Sequence, residues 1–322
     1  MTPMSFKYAA IEDAIVETVR KNADGRRVGV ACSGGLDSGL ISAIAKGCAE
    51  NVTLYCAGTK NSHDVMMAED LAKMLGLNFV HCRLTKGEMR ANIRQMIEIA
   101  VTPDPFTVSY EMPLLCVLKE AEEDIILTGQ GADEYFMGCA KFVDVSDEDY
   151  EVLTKASVRR LWDVSIPCET KLAEHFGKKL AYPYMDGSVI AEIEKLDPAE
   201  LRPKDMDSRK DVLRKIASHL GYDFIASRPK KSSQYGSGTT DLIRGMAKEN
   251  GMMYAEFIAS VRDEVAYGGT PVKRGAVINA RIDSVVKEKA ERILQEQGYT
   301  PSQVIERVYR DIIDDGGFDM RE

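Results

Sequence analysis

The sequence predicts an α/β fold in which helices cover a parallel β-sheet, followed by a helical C-terminal part and a small separate tail. Short apolar runs alternate with helix-periodic segments, which is typical of parallel sheets. Two of the runs end in glycine-rich loops, and ligands bind beyond the carboxyl ends of strands in such sheets. The 322 residues, 44% hydrophobic and 29% charged, are enough for one large domain and a smaller unit.

The predicted elements follow in chain order. A first helix is expected at about 8–22. Strands are predicted at 28–31, 52–57, 79–82 and 125–127, and they alternate with helices at about 64–75, 90–100 and 110–121. The domain organisation predicted from these patterns is a sheet-based domain at 1–250, a helical linker at 251–275 and a tail at 276–318.

The loop after the first predicted strand has the composition of a phosphate site. Its sequence from 28 to 38 is Val-Gly-Val-Ala-Cys-Ser-Gly-Gly-Leu-Asp-Ser. Glycines allow backbone N–H groups to approach an anion, and the helix that follows directs its partial positive charge at the same place. The residues predicted to bind there are Ser33, Gly34, Gly35, Leu36 and Ser38, and Asp37 is predicted to hold Mg²⁺.

A second glycine-rich loop, Thr-Gly-Gln-Gly-Ala-Asp-Glu at 128–134, follows the strand at 125–127. Gly129 and Gly131 again permit close approach of the backbone. Asp133 is placed where it could join Asp37 around a metal ion. The two loops together predict a site for a metal-bound polyphosphate.

The motif at 33–38 resembles the S-G-G-x-D-S pyrophosphate loop of the N-type ATP pyrophosphatases, whose fold is the adenine nucleotide alpha hydrolase-like (PP-loop) fold. Enzymes of that family cleave ATP between the α and β phosphates and adenylate a substrate. The block at 127–138 is similar to the G-[EQ]-G-[AS]-D-E-x-F-x-G block of asparagine synthetases. Further blocks at 182–189, 207–214 and 228–238 resemble their P-[FY]-[LM]-D, K-x-x-L-R and R-x-K…G-x-G segments, so the resemblance covers about residues 5–245.

The resemblance implies roles for individual residues. ATP and Mg²⁺ are the implied cofactors, with Asp37 and Asp133 as metal ligands and catalytic groups. Lys230 is expected to neutralise charge on the departing pyrophosphate. Arg228, Gly236 and Gly238 are expected to lie over the phosphates of the nucleotide. Asp186 is expected either to cap the helix that begins there or to support the site.

The chain departs from the asparagine synthetase pattern at two places. Gln130 stands where members that make asparagine typically carry Glu, and an amide cannot act as a general base. We nevertheless count Gln130 among the catalytic candidates, because this position follows the choice of acceptor within the family. The segment 178–181 lacks the family's Glu-x-Arg. The predicted carboxylate substrate is therefore aspartate or a relative.

The sequence predicts an ATP-dependent ligase of the asparagine synthetase type, forming AMP and pyrophosphate and using free ammonia or an amine. The chain has Thr2 where a glutaminase would present its cysteine, so ammonia is expected from solution or from a separate glutaminase chain. Two alternatives remain open. One is a nucleotide-sensing regulator that binds DNA through the tail, and the other is a tRNA-modifying ATP pyrophosphatase.

The tail has a different pattern from the rest of the chain. The segment 276–283 alternates like a strand, and two amphipathic helices follow, the second after the capping sequence Thr-Pro-Ser-Gln at 300–303. A unit of about 40 residues is too small to fold alone. The segment resembles the ribbon-helix-helix domain of RelB/DinJ-type antitoxins, which implies a homodimer through 276–318 and outward residues Asn279 and Arg281 that could reach DNA.

Charge and cysteine content exclude several classes of protein. The formal net charge is −9, and residues 271–322 hold nine Lys or Arg and ten Asp or Glu, net −1, so dimerisation is favoured over DNA binding. Seven scattered cysteines without a C-x-x-C pair indicate reduced core residues. No apolar run approaches the roughly 20 residues of a membrane span, and no signal peptide pattern is present, so a cytoplasmic location is expected.

Overall fold

The computed structural model describes residues 6–100, 105–229, 233–266, 278, 280–296, 301–315 and 317. A five-stranded parallel sheet forms its centre, with the strand order β3-β2-β1-β4-β5. The strands are β1 Arg27–Ala31, β2 Asn51–Gly58, β3 Asn78–Arg83, β4 Ile125–Thr128 and β5 Lys179–Ala181. The α/β fold with a parallel sheet is therefore confirmed.

Helices connect and cover the strands. The first part of the chain contains α1 Ala9–Ala23, α2 Leu36–Lys46, α3 His63–Leu75, α4 Lys86–Ala100, α5 Pro105–Glu120 and α6 Ala132–Tyr135. The middle contains α7 Asp147–Arg160, α8 Ile166–His175, α9 Gly187–Ile193, α10 Pro198–Leu201, α11 Asp211–His219 and α12 Asp223–Ala226. The last part contains α13 Ser233–Gly236, α14 Thr239–Glu249, α15 Tyr254–Ala266, α16 Ser284–Glu296 and α17 Pro301–Asp315.

The first four strands were predicted within two residues of their observed ends, but β5 was not. It has three residues and forms the sheet edge next to β4, with Ala181 opposite Leu127. So short a run has no periodicity of its own, and the pairing is set by the neighbouring strand.

The strand pairing decides which loops meet. β1 lies between β2 and β4, and Val30 is opposite both Leu54 and Leu127. Because all strands are parallel, the carboxyl ends of β1 and β4 lie side by side at one edge. The loops that follow these two strands are the two glycine-rich loops of the sequence, which places them next to each other.

Alternating side chains of the strands pack in two apolar cores, one on each face of the sheet. Val28 and Val30 pack with residues of α1, α2, α3, α9, α11 and α12. Tyr55 and Ile126 pack on the other face with residues of α4, α5, α8, α14 and α15. Both faces are therefore covered, as expected for a parallel sheet.

Helix α15 lies in the range predicted as a linker, yet it packs as part of the second core. Phe257, Ile258 and Val261 are at most 1% exposed and contact this core. Burying each of these side chains stabilises the fold by roughly 1.5–3 kcal/mol. Helix α15 thus packs with the sheet-based part of the chain, and the boundaries at 250 and 275 stay predictions.

Backbone hydrogen bonding is irregular at the junction of α7 with α8 and within α5. A π-helical turn, Leu161–Ser165, joins α7 and α8 into one continuous run, and the N–H of Ile166 donates to the carbonyl of Leu161 five residues back. Pro113 interrupts the ladder of α5, because proline has no N–H to donate. Single π turns in α-helices often occur at functional sites.

The tail contains the two predicted helices, α16 and α17. Its described positions 278 and 280–283 form no strand pairing within the chain, and 276, 277 and Asn279 lie outside the described residues. The apolar face of the second helix is exposed in the single chain, where Ile305, Val308 and Tyr309 are at least 36% exposed. The ribbon-helix-helix arrangement stays a prediction.

None of the described helices combines the length and apolar character that a membrane crossing requires.

Candidate functional site

The loop between β1 and α2 contacts α3 on one side and is open on the other. Gly34 has φ +73°, and a Cβ there would overlap the backbone of Met67 and Ala68 in α3. Gly35 is the N-cap of α2, and a Cβ on it would meet only the hydroxyl oxygen of Ser33, at 3.5 Å. The open side of the loop is therefore at Gly35, where a ligand could approach.

The first turn of α2 fits an anion. N–H groups in the first turn of a helix lack partners within the helix, and they carry its partial positive charge. The hydroxyl oxygen of Ser38 is buried and has no hydrogen-bond partner among the described residues. A phosphate oxygen could accept both kinds of donor, so the residues present fit a phosphate group here.

The loop after β4 packs directly against the start of α2. A Cβ on Gly129 would lie 3.0 Å from Cβ of Asp37 and 3.1 Å from the backbone nitrogen of Ser38. Gly131 has φ +87°, and a Cβ there would overlap the side chain of Met185. These two glycines serve contacts within the chain, which bring Asp37 and Asp133 together.

A buried lysine joins the two predicted metal carboxylates. Nζ of Lys210 lies 2.5 Å from Oδ2 of Asp37 and 2.5 Å from Oδ1 of Asp133, and its side chain is 2% exposed. Lys210 precedes α11 and has φ +60°. Lys210 is the lysine of the K-x-x-L-R segment at 207–214, and it was not among the residues predicted to form the site.

The two carboxylates meet the chemical requirements of Mg²⁺. They converge on one position, which the ammonium group of Lys210 occupies in this structure. Oδ1 of Asp37 is buried without a hydrogen-bond partner among the described residues. No cluster of three or more His, Cys, Asp or Glu that could hold a metal occurs among those residues. Mg²⁺ characteristically takes one or two carboxylates and completes its shell with water and phosphate oxygens, which this pair permits.

Arg228 is buried against the loop between β1 and α2 and forms a hydrogen bond with it. Its Nη1 donates to the carbonyl oxygens of Gly34 at 2.8 Å and Met67 at 2.9 Å, and its Nη2 pairs with Asp70 at 2.7 Å. The residue is 5% exposed. Arg228 thus stabilises the loop and α3 from within the protein, whereas the sequence analysis expected it over the phosphates.

Gly236 and Gly238, from the same segment of the sequence, lie against residues that follow β2. A Cβ on Gly236 would overlap the carboxylate of Asp64, and a Cβ on Gly238 would lie 2.6 Å from the hydroxyl of Thr59. Both glycines therefore have a packing reason. Lys230 lies outside the described residues.

Asp186 is the N-cap of α9. Its Oδ1 accepts hydrogen bonds from the backbone N–H and the hydroxyl of Ser188 at 3.0 and 2.6 Å, and these bonds lower the pKa of the Asp186 carboxyl. The capping alternative is the one that the structure shows. Tyr184, from the same block, donates to the backbone carbonyl of Asp37 at 2.9 Å and so supports the start of α2.

A cavity of about 170 Å³ extends from the two loops toward α5 and α8. Five carboxylates line it, and no Lys or Arg is among its described lining residues. The carboxylates belong to Asp37, Asp64, Glu111, Asp133 and Glu169. We call the part formed by Ser33–Ser38 and Asp133 the phosphate end, and the part formed by Tyr110, Glu111, Gln130 and Glu169 the acid end. Lys210 contacts the carboxylates of the phosphate end but is not among the residues that line the cavity.

Gln130 connects the second loop to the acid end. Its amide nitrogen donates to Oε1 of Glu169 at 2.6 Å, and its amide oxygen accepts from the hydroxyl of Tyr110 at 3.2 Å. These two bonds fix the orientation of the amide. A glutamate at this position would place a second carboxylate against Glu169, so the residue that departs from the family pattern is matched to its neighbour.

The two glutamates of the acid end are 2% exposed each. Burial raises the pKa of Glu169 to about 8, although the nearby Tyr182 hydroxyl and the Gln130 amide lower it in part. Burial and the neighbouring Glu169 raise the pKa of Glu111 well above its usual value. A buried pair of carboxyl groups therefore retains a proton near neutral pH.

Sequence reasoning found Gln130 but neither glutamate. They lie on α5 and α8, far apart in the chain and without a shared motif. Neighbouring strands bring the two predicted loops together, whereas only the packing of two helices brings the glutamates to them. Arg281, the predicted DNA contact, is exposed in the tail, and Asn279 lies outside the described residues.

Comparison with known proteins supports the resemblance. A family model described as asparagine synthase matches residues 10–163. A putative glutamine-hydrolysing asparagine synthetase of Methanocaldococcus jannaschii is 29% identical over 280 residues, which are 75% of this chain and 51% of the relative. A probable asparagine synthetase of Acanthamoeba polyphaga mimivirus is 28% identical over 236 residues, 69% of this chain and 42% of the relative. The chain thus contains an asparagine synthetase-like region, and it spans about half the length of these relatives or less.

Two solved structures were also compared. One described as NMN synthetase from Francisella tularensis aligns with a TM-score of 0.35 at 13% identity, over 84% of this chain and 90% of that chain. One described as a predicted subunit of a tRNA methyltransferase from Methanocaldococcus jannaschii aligns with a TM-score of 0.30 at 17% identity, over 65% of this chain and 92% of that chain.

Proposed function

We propose that this protein is an ATP-dependent carbon–nitrogen ligase that releases AMP and pyrophosphate. It adenylates a carboxylate, aspartate or a relative, and transfers the acyl group to ammonia or an amine. The observation that carries the proposal is the convergence of Asp37 and Asp133 on one cation position at the N-terminus of α2. The similarity of residues 10–163 to asparagine synthases supports the same chemistry.

In this proposal the phosphate end binds the β and γ phosphates of ATP. Donors come from the backbone at Gly35 and Leu36 and from the hydroxyls of Ser33 and Ser38. Mg²⁺ held by Asp37 and Asp133 supplies neutralisation of phosphate charge. Without such charge compensation, the pyrophosphate that leaves would be repelled by the two carboxylates.

Lys210 contributes a second positive charge at the place where pyrophosphate departs. Its ammonium group already bridges both carboxylates, so a small movement would bring it to a phosphate oxygen. Lys230 is proposed to act from the segment after Arg228, on the evidence of the resemblance alone. Both lysines would stabilise negative charge that develops on the bridging oxygen of the leaving group.

The carboxylate substrate can be identified without knowing the acceptor. Adenylation is reversible, so a substrate carboxylate should cause labelled pyrophosphate to enter ATP in the absence of any amine. We expect such exchange with aspartate or a related acid, together with AMP release when ammonium is added. Turnover to ADP and phosphate, or no exchange with any of the amino acids and short dicarboxylic acids, would overturn the proposal.

We further propose a homodimer through the tail, residues 276–318. Apolar side chains of the described tail are exposed in the single chain, among them Ile282, Val286, Ile293 and Tyr309, each more than half exposed. Pairing with a second copy would remove them from water. The net charge of −1 over 271–322 speaks against DNA as the main partner.

Sedimentation velocity tests the dimer directly. The full chain should sediment as a dimer, and the double variant Ile293→Lys, Val308→Lys should sediment as a monomer with unchanged AMP formation. The exposed pair Lys287→Ala, Glu291→Ala on α16 provides the matched control, since its ion pair lies on the surface. A monomeric wild-type chain at micromolar concentration would contradict this second proposal.

A further inference from the structure

The acid end has a charge imbalance that the phosphate end does not have. At the phosphate end Lys210 pairs with both Asp37 and Asp133. No Lys or Arg is among the described residues that line the acid end. Arg160 lowers the pKa of Glu111, but it donates to Thr107 and lies over the ring of Phe106 outside the cavity lining. The acid end thus lacks a lining cation.

Two carboxylate oxygens of the acid end are also without donors. Oε1 of Glu111 and Oε2 of Glu169 are buried and accept no hydrogen bond from the described residues. Both residues line the cavity and are 2% exposed. Buried polar atoms normally have partners, and leaving one unpaired costs about 1–3 kcal/mol. The hydroxyl of Tyr182, next to Glu169, is likewise buried and without a hydrogen-bond partner among the described residues. The two glutamate oxygens are therefore open to donors that a ligand supplies.

The amide oxygen of Gln130 is a third acceptor at the same place. It accepts one bond from Tyr110, which leaves one of its two lone pairs for another donor. A primary ammonium group carries three N–H donors and one positive charge. The number of acceptors matches this group, and its positive charge can take the place of the proton that the buried glutamate pair retains, whereas a carboxylate or phosphate would be repelled.

We infer that the acid end binds a primary ammonium group of a substrate through Glu111, Glu169 and the amide oxygen of Gln130. The inference rests on the proposed function only in assigning the ammonium group to a substrate. That group belongs either to the attacking nucleophile, as ammonium ion or a protonated primary amine, or to an amino acid whose carboxylate is adenylated. Gln130 is a positioning residue in either case, because its N–H group holds one oxygen of Glu169 and leaves the other for the ligand.

The presence of Gln130 where the family pattern has Glu then has a physical explanation. An amide at 130 cannot accept a proton, but it can orient a glutamate that can. The carboxylate function is then provided by α8, while the loop residue supplies the donor that holds it. The acid end thus combines a donor from the loop with acceptors from two helices.

Thermal unfolding of the full chain without ATP tests the site. Ammonium, methylammonium and tetramethylammonium chlorides are compared with sodium chloride at constant ionic strength. A ligand that binds only the folded state raises Tm in proportion to its occupancy. We expect methylammonium or ammonium to raise Tm by about 2 °C near saturation, and tetramethylammonium, which has no N–H group, to have the effect of sodium.

Variants show whether the glutamates are responsible. Glu169→Gln should lose the rise in Tm, and Glu111→Gln serves as the second variant if Glu169→Gln does not fold. Glu174→Gln is the matched control, since Glu174 is exposed on the same helix α8. It should retain the full rise.

A second pair of ligands distinguishes the two sources of the ammonium group. If aspartate raises Tm and succinate, which lacks the amino group, does not, the site binds the amino acid substrate. If methylammonium or ammonium alone acts, it binds the nucleophile. The inference is overturned if no primary ammonium compound exceeds its control, or if the rise persists in Glu169→Gln. Failure of the proposed function is seen separately, as the absence of carboxylate-dependent pyrophosphate exchange.

Discussion

The phosphate end and the acid end of the cavity solve the same problem of grouped carboxylates in different ways. At the phosphate end, Asp37 and Asp133 share one internal cation, Lys210, at 2.5 Å. At the acid end, Glu111 and Glu169 have no cation among the lining residues described, and burial raises the pKa of both. The phosphate end therefore carries its own counterion, whereas the charge of the acid end is compensated by protons or by a ligand.

The largest effect is expected at the phosphate end, from Asp133→Asn. Loss of one carboxylate removes half of the protein ligands proposed for Mg²⁺ and disturbs the position of Lys210. We expect AMP formation to fall by about 10³-fold or more, with the fold intact by circular dichroism. The assay is AMP release with saturating Mg-ATP. Retention of more than a tenth of wild-type activity would remove Asp133 from the proposed mechanism.

A smaller effect is expected when the internal cation itself is removed. Lys210→Met leaves Asp37 and Asp133 facing each other, and breaking a buried ion pair on one side costs about 3 kcal/mol. We expect this loss in the unfolding free energy measured in urea with EDTA. Added Mg²⁺ should restore stability in Lys210→Met more than in the wild type, because the divalent ion can replace the lost charge.

Lys215→Met provides the control on the same helix. Lys215 pairs with Asp211 at the surface, where its side chain is 51% exposed, so its loss should change stability by well under about 1 kcal/mol. Equal stability losses in both lysine variants would show that the charge bridge has no special role.

The raised pKa of Glu169 at the acid end should make the unfolding free energy depend on pH. The pKa of Glu169 is about 8 in the folded protein and about 4.3 when unfolded, so the folded state binds the additional proton. The contribution of Glu169 to stability is then largest below about pH 4.3 and falls as the pH rises toward 8. The charged and titratable groups around it are Tyr110, Glu111, Glu134, Arg160, Cys168 and Tyr182.

Replacing Glu169 with Gln should remove its share of this dependence. Between pH 5 and pH 8 the wild type should lose about 3–4 kcal/mol of unfolding free energy that Glu169→Gln does not lose. Urea titrations at both values measure the change, and Glu174→Gln serves again as the control. Parallel pH profiles for Glu169→Gln and the wild type would mean that the pKa of Glu169 is not raised in the folded protein.

The smallest effect on stability is expected at Gly35, the open point of the phosphate loop. A Cβ there meets only Ser33, so Gly35→Ala should change the unfolding free energy by less than about 1 kcal/mol. Gly34→Ala, which would overlap α3, should destabilise the protein clearly more. The test of Gly35→Ala is ATP affinity by calorimetry. Unchanged affinity would indicate that phosphate binds elsewhere.

The phosphate end and the acid end also differ in how many of their residues could be predicted from the sequence. Short apolar runs between helical segments predicted four of the five strands, and parallel pairing of β1 with β4 then brought the predicted loops together. Lys210 was missed because it is one residue of a short motif before α11, and its contact with the loops depends on tertiary packing. The glutamates lie in helices whose apolar pattern conceals them, since a buried charged residue in such a helix has no sequence signature.

Other expectations depended on features that one chain cannot provide. The periodicity of the tail predicted α16 and α17, but an unpaired strand has no partner within the same chain to define it. Arg228 shows the opposite limit. Its motif was recognised, yet burial between the loop and α3 gives it a structural role that the sequence pattern does not distinguish from phosphate binding.

The π turn Leu161–Ser165 has a consequence for the history of this protein. A π turn amounts to one residue inserted into an α-helix, and one residue rotates everything beyond it by about 100°. Glu169 lies beyond the turn on α8, so losing a single codon there would turn its carboxylate away from the cavity. Relatives with one residue fewer between α7 and α8 would accordingly direct a different side chain toward the acid end. Counting residues in that interval would thus sort relatives into groups before any assay is made.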